Sequence, residues 1–434
     1  MTNALQERFS GLMDRLGVAD REWSGGVGAG VSGGADSTAL AVLLAEWAAA
    51  RGIPFLAITC DHGLRPEAAA ETDAVAAMMR GIGARCRVLR LGLSKGTAIQ
   101  ERARDARYGA MLDAIRREGI GILAVGHHRM DQAETVEHRL RSGGGGPSSL
   151  AGMLPVRAAE DAILVRPLLP CWPADMRTFL LDAGIPWVED PSNRDSRYAR
   201  ARIRESLAAD PVRVAFLLRT AAENGERLAA IRSAAAKRLA MAGATLHAGG
   251  AVSLVPGALG LGPAAAEAFR SILTAATGRV PAVGDRQLLD LLDRGAGSIA
   301  GAVLWRQGRR SWVAREASAM APPAPAADWS MWDGRIRFGY GVPDGLTVGP
   351  LGDADATAVR KLHGCGLPHR VLAAVPCLRR NGVLAAVPDL GLGEAVSTRP
   401  VRRLPAGLAV DMPMLSPTVW NGEPCGHGTP RLSV

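Results

Sequence analysis

The sequence predicts an α/β protein: a doubly wound parallel sheet, then a helical region, then a small C-terminal β-containing module. Three observations carry that prediction. From Gly25 to about Trp187 short β-type runs alternate with helical stretches, the pattern of a parallel sheet covered by helices on both faces. The segment VRVAFLLRTAAENGERLAAIRSAAAKRLAMA has helical periodicity and no strand signal, so it reads as one or two amphipathic helices. The last hundred residues are rich in Gly and Pro and carry short strands such as GVLAAVP.

The elements follow in order. GVGAGVS is the first strand and DSTALAVLLAEWAAA the first crossover helix; FLAITC and AAAETDAVAAMMRGIG form the second pair. RCRVLRLG leads to a helix through Thr97–Glu118, and GILAVG leads to DQAETVEHRLR. A polar stretch from Glu189 to Arg204 leaves this region, a further helix is expected at Asp285–Asp293, and the Ala/Pro run at 320–329 reads as a linker. Domains at 1–205, 206–320 and 328–434 result, which suits 434 residues at ~100–200 per domain. In open α/β sheets ligands lie at the carboxyl ends of strands, where the loops after GVGAGVS, FLAITC and GILAVG converge.

Composition narrows the function. The formal charge is +9, and because only Lys95, Lys237 and Lys361 are lysines, 51 − 3 = 48 of the basic residues are arginines, whose forked donors match phosphates. That suits a polyanionic partner and equally suits a codon bias. The six cysteines form no Cys-x-x-Cys pair, which speaks against a zinc ribbon, an iron–sulfur cluster and a disulfide framework. The N-terminus lacks the apolar core of a secretory signal, and Gly and Pro interrupt the longest uncharged run, Leu239 to Ala266, so no membrane segment is expected and the location is read as cytoplasmic.

Four clusters carry chemistry. Ser32, Gly33, Gly34, Ala35, Asp36 and Ser37 lie between a strand of small residues and a strong helix former, so glycine-rich backbone and a helix N-terminus present N–H groups to one anion. The alternative is a Gly-Gly turn with Asp36 or Ser37 capping the helix. A Walker loop would need Gly-Lys-Ser/Thr; without that lysine, cleavage between the α and β phosphates is the more natural chemistry. Asp131 and Glu134 are three residues apart on one helix face and could hold an ammonium group or a metal, or merely complement the helix N-terminus. His127 and His128 open the same loop. Asp61-His62-Gly63 could be a plain turn, and Arg104 could simply pair along its helix. Between Arg194 and Arg204 lie five arginines, one aspartate and Tyr198, types that serve phosphate contact and base stacking or else a solvated basic helix start.

These residues resemble a family. SGGADS is similar to the SGGxDS loop of the ATP-pyrophosphatases (the PP-loop superfamily), and DHGLR at 61–65, ERARDARY at 101–108, HHRMDQAET at 127–135 and EDPSN at 189–193 resemble the tRNA(Ile)-lysidine synthases in order and spacing. The resemblance is specific over about 25–205 and loose beyond. Two departures stand out: Met130 occupies the place of the first of two family aspartates, and the loop SGGGGPSSLAGM at 142–153 is richer in glycine than the family pattern.

The resemblance implies a ligase that uses ATP and Mg²⁺ to convert the wobble cytidine (position 34) of CAU-anticodon tRNA(Ile) to lysidine. Cytidine O2 attacks the α-phosphorus and releases pyrophosphate; the ε-amine of free L-lysine then displaces AMP at C2. It places Ser32, Gly33, Gly34, Ala35, Asp36, Ser37, Asp61 and His62 against ATP, Asp36 at the metal, Asp131 and Glu134 at lysine, and Arg197, Tyr198, Arg200, Arg202 and Arg204 against tRNA, with Asp36, Asp131 and Glu134 catalytic. Other readings are a tRNA thiolase, which commonly needs a Cys-x-x-Cys pair, an amide-forming ATP-pyrophosphatase or NAD synthetase, which needs no basic exit at 194–204, and a non-catalytic tRNA-binding protein.

Overall fold

The computed structural model describes residues 4–16, 25–63, 68–92, 99–159, 162–188 and 199–400. The chain divides into two compact units, Met1–Leu228 and Ala229–Val434, each built around its own cores.

The first unit runs α1 (Ala4–Arg15), β1 (Val27–Gly30), α2 (Ala35–Ala49), β2 (Phe55–Asp61), α3 (Ala68–Gly81), β3 (Arg85–Arg90), α4 (Ile99–Arg117), β4 (Ile122–Val125), α5 (Arg129–Arg141), α6 (Pro147–Leu150), β5 (Val156–Ala159), β6 (Ala162–Val165), α7 (Pro173–Asp182), α8 (Ala199–Ala208) and the start of α9 (Pro211–Met241). Its six strands lie in the order β3-β2-β1-β4-β6-β5, all parallel except β5, which pairs antiparallel with β6 at the edge. The expected doubly wound sheet is therefore present. The chain turns from β1 toward β2 on one side and later crosses to β4 on the other, so the carboxyl end of β1 is the switch point at which such sheets bind ligands.

The residue sizes in β1 follow from packing. Val27 and Ala29 belong to the core shared with α1, α2, α3 and α7, while Gly28 and Gly30 face α4 on the opposite side. A Cβ on Gly28 would stand 2.6 Å from Ile115 Cγ2, so the missing side chain is what lets α4 approach the sheet. Gly28→Ala is expected to lower unfolding free energy by about 1–3 kcal/mol through overpacking, measured by urea denaturation. Helix α2 is apolar nearly all round because it lies between the sheet and the helices α1 and α7, as a fully buried helix must.

A third core in this unit joins Ala133 and Val136 of α5 to Ile203 and Leu207 of α8 and to Val214, Leu217 and Ala221 of α9, with Met130 packed against it. The residue that departs from the family's acidic pattern is thus an apolar contact between α5 and its covering helices.

The second unit contains the rest of α9, β7 (Thr245–Leu246), β8 (Val252–Leu254), α10 (Pro263–Thr277), α11 (Asp285–Arg294), β9 (Gly297–Ile299), β10 (Ala302–Gln307) and β11 (Arg310–Arg315). The strands form the antiparallel sheet β7-β8-β11-β10-β9, and Phe269, Ile272 and Leu273 of α10 share a core with Val252, Leu304 and Val313. Two further antiparallel sheets follow, one of five strands and one of three. The Ala/Pro run at 320–329 is not a linker: Ala324 and Pro325 pair with Val348 and Thr347, and Pro322 accepts a hydrogen bond from the Trp332 indole. Alanine and proline suit an edge strand, where a missing N–H costs nothing. The stretch expected to hold one or two helices is the single α9 of 31 residues.

Candidate active site

The loop between β1 and α2 turns at Gly33, whose φ of +90° only glycine adopts without strain. A Cβ there would also meet Val75 Cγ2 at 2.7 Å, and the Gly33 carbonyl accepts the Val188 N–H at 2.8 Å, so the turn is held on both sides. Ser37 Oγ donates to Gly34 O at 3.1 Å, accepts from the Ser32 N–H at 3.1 Å and lies 3.0 Å from Ser32 Oγ. The serines thus knit the loop to the first turn of α2. Gly34 caps that helix without any side chain, and the first intrahelical bond runs from Thr38 N–H to Gly34 O, so the preceding N–H groups remain for an anion.

Asp36 stands on this first turn with its carboxylate about a third exposed, and its Oδ2 lies 3.4 Å from Nε2 of His128. His128 is the N-cap of α5: its Nδ1 accepts the Asp131 N–H at 3.2 Å, while Asp131 Oδ2 accepts the His128 N–H at 3.0 Å. With Nδ1 engaged as acceptor, the ring proton sits on Nε2, directed at Asp36. Burial pushes the His128 pKa down, but the hydrogen bond to Asp36 and the charges of Asp131, Asp36 and Glu134 outweigh it and raise the pKa overall. The histidine therefore ties the glycine-rich loop to the acidic helix.

Glu134, one turn along, is buried, and Arg204 of α8 grips it with Nε at 2.6 Å and the second guanidinium nitrogen at 3.2 Å, while the same guanidinium lies 3.9 Å from Asp131 Oδ1. The Glu134 hydrogen bond raises the Arg204 pKa further. Arg213 of α9 holds Glu137 through two nitrogens that both donate to Oε2, at 3.0 and 2.7 Å. The two pairs dock α8 and α9 onto the face of α5 that carries the candidate carboxylates.

Helix α5 also holds the glycine-rich loop at 142–153. Gln132 donates to Ala151 O and Met153 O, both at 3.1 Å, and accepts the Met153 N–H at 2.7 Å; Arg139 donates to Gly152 O at 2.8 Å. At Gly152, φ is +64° and a Cβ would sit 2.6 Å from Gln132 Oε1. The loop is thus fastened to α5 at its C-terminal half.

On the other flank, Asp61 Oδ1 accepts the Gly63 N–H at 2.8 Å, which closes the turn after β2, and Nδ1 of His62 is buried without a partner. His127 accepts a hydrogen bond at Nδ1 from Nε of the buried Arg166 at 3.2 Å, and Arg166 also donates to Leu154 O at 2.7 Å. Burial first, then the charges of Arg166, Arg104 and Arg107, push the His127 pKa down to about 3, so it is neutral near pH 7. The adjacent histidines are thus driven in opposite directions.

The structure brings Ser32–Ser37, Asp36, Asp131 and Glu134 to one end of the sheet, with Asp61 and His62 on its flank. Arg202 and Arg204 project from α8, while Ile203 and Leu207 are buried. Arg197 and Tyr198 lie outside the described residues, as does the Arg200 side chain. The sequence did not single out Arg166 or Gln132. Arg166 directly follows an apolar strand of four residues with no motif around it; Gln132 sits inside HHRMDQAET and could have been asked what it anchors.

No described cysteine is disulfide-bonded, and burial pushes the thiol of Cys60, at the end of β2, up to about 11, far from the range of a nucleophilic thiolate. No described helix is long and apolar enough to cross a membrane.

Comparison with known proteins agrees with this geometry. A family model described as a PP-loop domain matches residues 3–210. A tRNA(Ile)-lysidine synthase from Ruegeria pomeroyi is 34% identical over 412 residues, covering 91% of this chain and 93% of that one. One from Mesorhizobium japonicum is 33% identical over 404 residues, covering 88% and 87%. A third, from Novosphingobium aromaticivorans, is 44% identical over 188 residues, 43% of this chain and 57% of that one. The thiolase, amide-forming and non-catalytic readings are not favoured. Similarity over almost the whole length, together with a glycine-rich loop and acidic helix meeting at the switch point of the sheet, shows that the chain belongs to the tRNA(Ile)-lysidine synthases.

Proposed function

We infer that this ATP-dependent ligase joins free L-lysine to C2 of the wobble cytidine (position 34) of CAU-anticodon tRNA(Ile), through an adenylated cytidine, releasing pyrophosphate and AMP. The observation that carries the reading is the junction Asp36–His128–Asp131, which sets an anion cradle beside a pair of carboxylates. Adenylation releases pyrophosphate, and the N–H groups at the first turn of α2, before Thr38, are the donors that would stabilise the charge that develops there. Among the described residues no three His, Cys, Asp or Glu side chains could hold a metal by themselves. Mg²⁺ entering with ATP phosphates needs only one or two carboxylates, and Asp36 on the first turn of α2 fits that demand. Bound there, the ion would neutralise charge on the departing pyrophosphate.

The second step needs an uncharged ε-amine at C2. Asp131 and Glu134 hold the α-ammonium of lysine, which leaves the ε-amine to react; Glu134 keeps acceptor capacity beyond its two bonds to Arg204. Arg197, Tyr198, Arg200, Arg202 and Arg204 contact tRNA, and the Arg204–Glu134 pair links that stretch to the lysine subsite. Asp61 and His62 border ATP. The segments 1–205, 206–320 and 328–434 serve as catalytic domain, helical tRNA-contacting region and terminal module, and the enzyme works in the cytoplasm.

The test is to incubate the protein with ATP, labelled lysine and a set of tRNA transcripts. Label is expected in CAU-anticodon tRNA(Ile) alone. Label in no tRNA, or in tRNAs with other anticodons, overturns the reading.

A further inference from the structure

Strands β1, β4 and β6 lie side by side and run parallel, so the helices that follow them, α2, α5 and α7, all start at the carboxyl end of the sheet. Contacts link the three starts in turn. Asp36 meets His128, the N-cap of α5, and the next residue, Arg129, donates its backbone N–H at 3.0 Å to Cys171 O in the loop that enters α7. Trp172 then occupies the N-cap of α7. An indole does little for a helix start: an N-cap usually supplies a side-chain oxygen to the first N–H groups, and Trp172 makes no such bond. The start is held instead by Pro173 in its first turn and by Asp175, whose Oδ2 accepts the Trp172 backbone N–H at 3.4 Å and a bond from Arg8 at 3.1 Å.

The side chain is also left outside the core. Met176, Phe179 and Leu180 of α7 are buried, whereas Trp172 is 39% exposed. The Arg129 guanidinium lies over its ring, 4.9 Å from the centre. Among the described residues neither that guanidinium nor the indole N–H has a hydrogen-bond or ion-pair partner. An exposed indole backed by a cation is suited to stacking an unpaired base, because every base offers a π-face and the cation strengthens the attraction. Trp172 lies outside every motif that carries the family resemblance, so neither the helix start nor those motifs account for it.

The reaction supplies a matching ligand. For cytidine O2 to reach the α-phosphorus, the target base must leave the stack of its loop, which bares a face of the base beside it. We propose that Trp172, backed by Arg129, is a stacking platform for the unpaired base adjacent to the target cytidine. This rests on the tRNA reading above. The platform stands on the β6 side of the anion cradle, opposite the flank at β2 where Asp61 and His62 border ATP. A base stacked there fixes the strand that carries the cytidine close to the α-phosphorus, which turns an encounter into a bound geometry. The indole replaces the stacking that the neighbour loses when the cytidine leaves.

The test compares wild-type protein with Trp172→Ala, with Trp172→Phe, and with Leu181→Ala, which trims an exposed apolar side chain farther along the same helix. Each is assayed on the tRNA(Ile) transcript and on transcripts that carry an abasic nucleotide on the 5′ or the 3′ side of the target cytidine. Trp172→Ala should raise the tRNA KM about 5–100-fold, the range for losing one stacked base, with the KM for ATP and for lysine unchanged. Its salt dependence of tRNA binding should match wild type, because no phosphate contact is lost. Trp172→Phe should keep most of the affinity, and Leu181→Ala should behave as wild type. One of the two abasic transcripts should cost the wild type about as much as Trp172→Ala does, and should cost Trp172→Ala little more, since both changes remove the same contact. Losses that add at both neighbouring positions would overturn the proposal, as would a raised ATP KM with an unchanged tRNA KM, or a Trp172→Ala protein folded by circular dichroism with wild-type kinetics. A wild-type protein that binds tRNA(Ile) but forms no lysidine would overturn the functional reading instead, and the same comparison run on binding affinity would still judge the platform.

Discussion

Asp36→Ala is expected to slow pyrophosphate release and lysidine formation by about 10²–10³-fold, the range seen when one preorganised charge-stabilising group is removed from an active site. The side chain is well placed for such a loss. It stands on the first turn of α2 beside the unpaired N–H groups, about a third exposed, and its neighbour across the cleft is His128 Nε2 at 3.4 Å. Its structural share is small: Gly34, not Asp36, caps the helix, and a carboxylate in a helix's first turn contributes only ~0.3–1 kcal/mol through the helix dipole. Melting temperature should therefore change little while turnover collapses. Turnover near the wild-type rate in a folded Asp36→Ala protein would remove Asp36 from the mechanism.

Glu134→Gln should raise the KM for lysine about 10–100-fold and leave the KM for ATP nearly unchanged, because only lysine loses a charge-assisted contact. The structure adds a second expected result. Glu134 is buried and gripped at 2.6 and 3.2 Å by Arg204, so the amide leaves a half-exposed guanidinium facing a neutral partner and loosens α8 from α5. An accompanying Arg204→Gln removes that mismatched charge. If Glu134 serves lysine directly, the double variant recovers stability and keeps the high lysine KM; if its role is only to hold α8, the KM falls back as stability returns. Equal rises in both KM values in Glu134→Gln would point to a metal or purely structural role.

Much of the fold was legible because the elements of the first unit are long and locally consistent. Each strand from β1 to β4 is bounded by turn residues and followed by a helix of at least thirteen residues, so period and length agree at every step. The edge hairpin β5–β6 carried no such signal: its strands are four residues each, and their pairing is fixed by the neighbouring β4. The Ala/Pro run misled for the opposite reason. Its composition is that of a linker, and only the partner strand Leu346–Pro350 makes part of it an edge strand.

By itself the sequence determined the parallel sheet, the anion loop at Ser32–Ser37, the acidic pair on α5 and the basic character of 194–204, because each is written in residues adjacent along the chain and governed by local periodicity. What it left open were questions of which groups meet. Whether Glu134 complemented a helix end or had a partner was decided by Arg204, seventy residues away. Arg104 was found to stack on Tyr108, a contact that the helical spacing alone did not single out. The opposite fates of His127 and His128 could not be read from two identical adjacent residues. One faces Arg166, just after β6, and the other faces Asp36 from α2, and the electrostatic field at each ring is set by elements that only the folded sheet brings together.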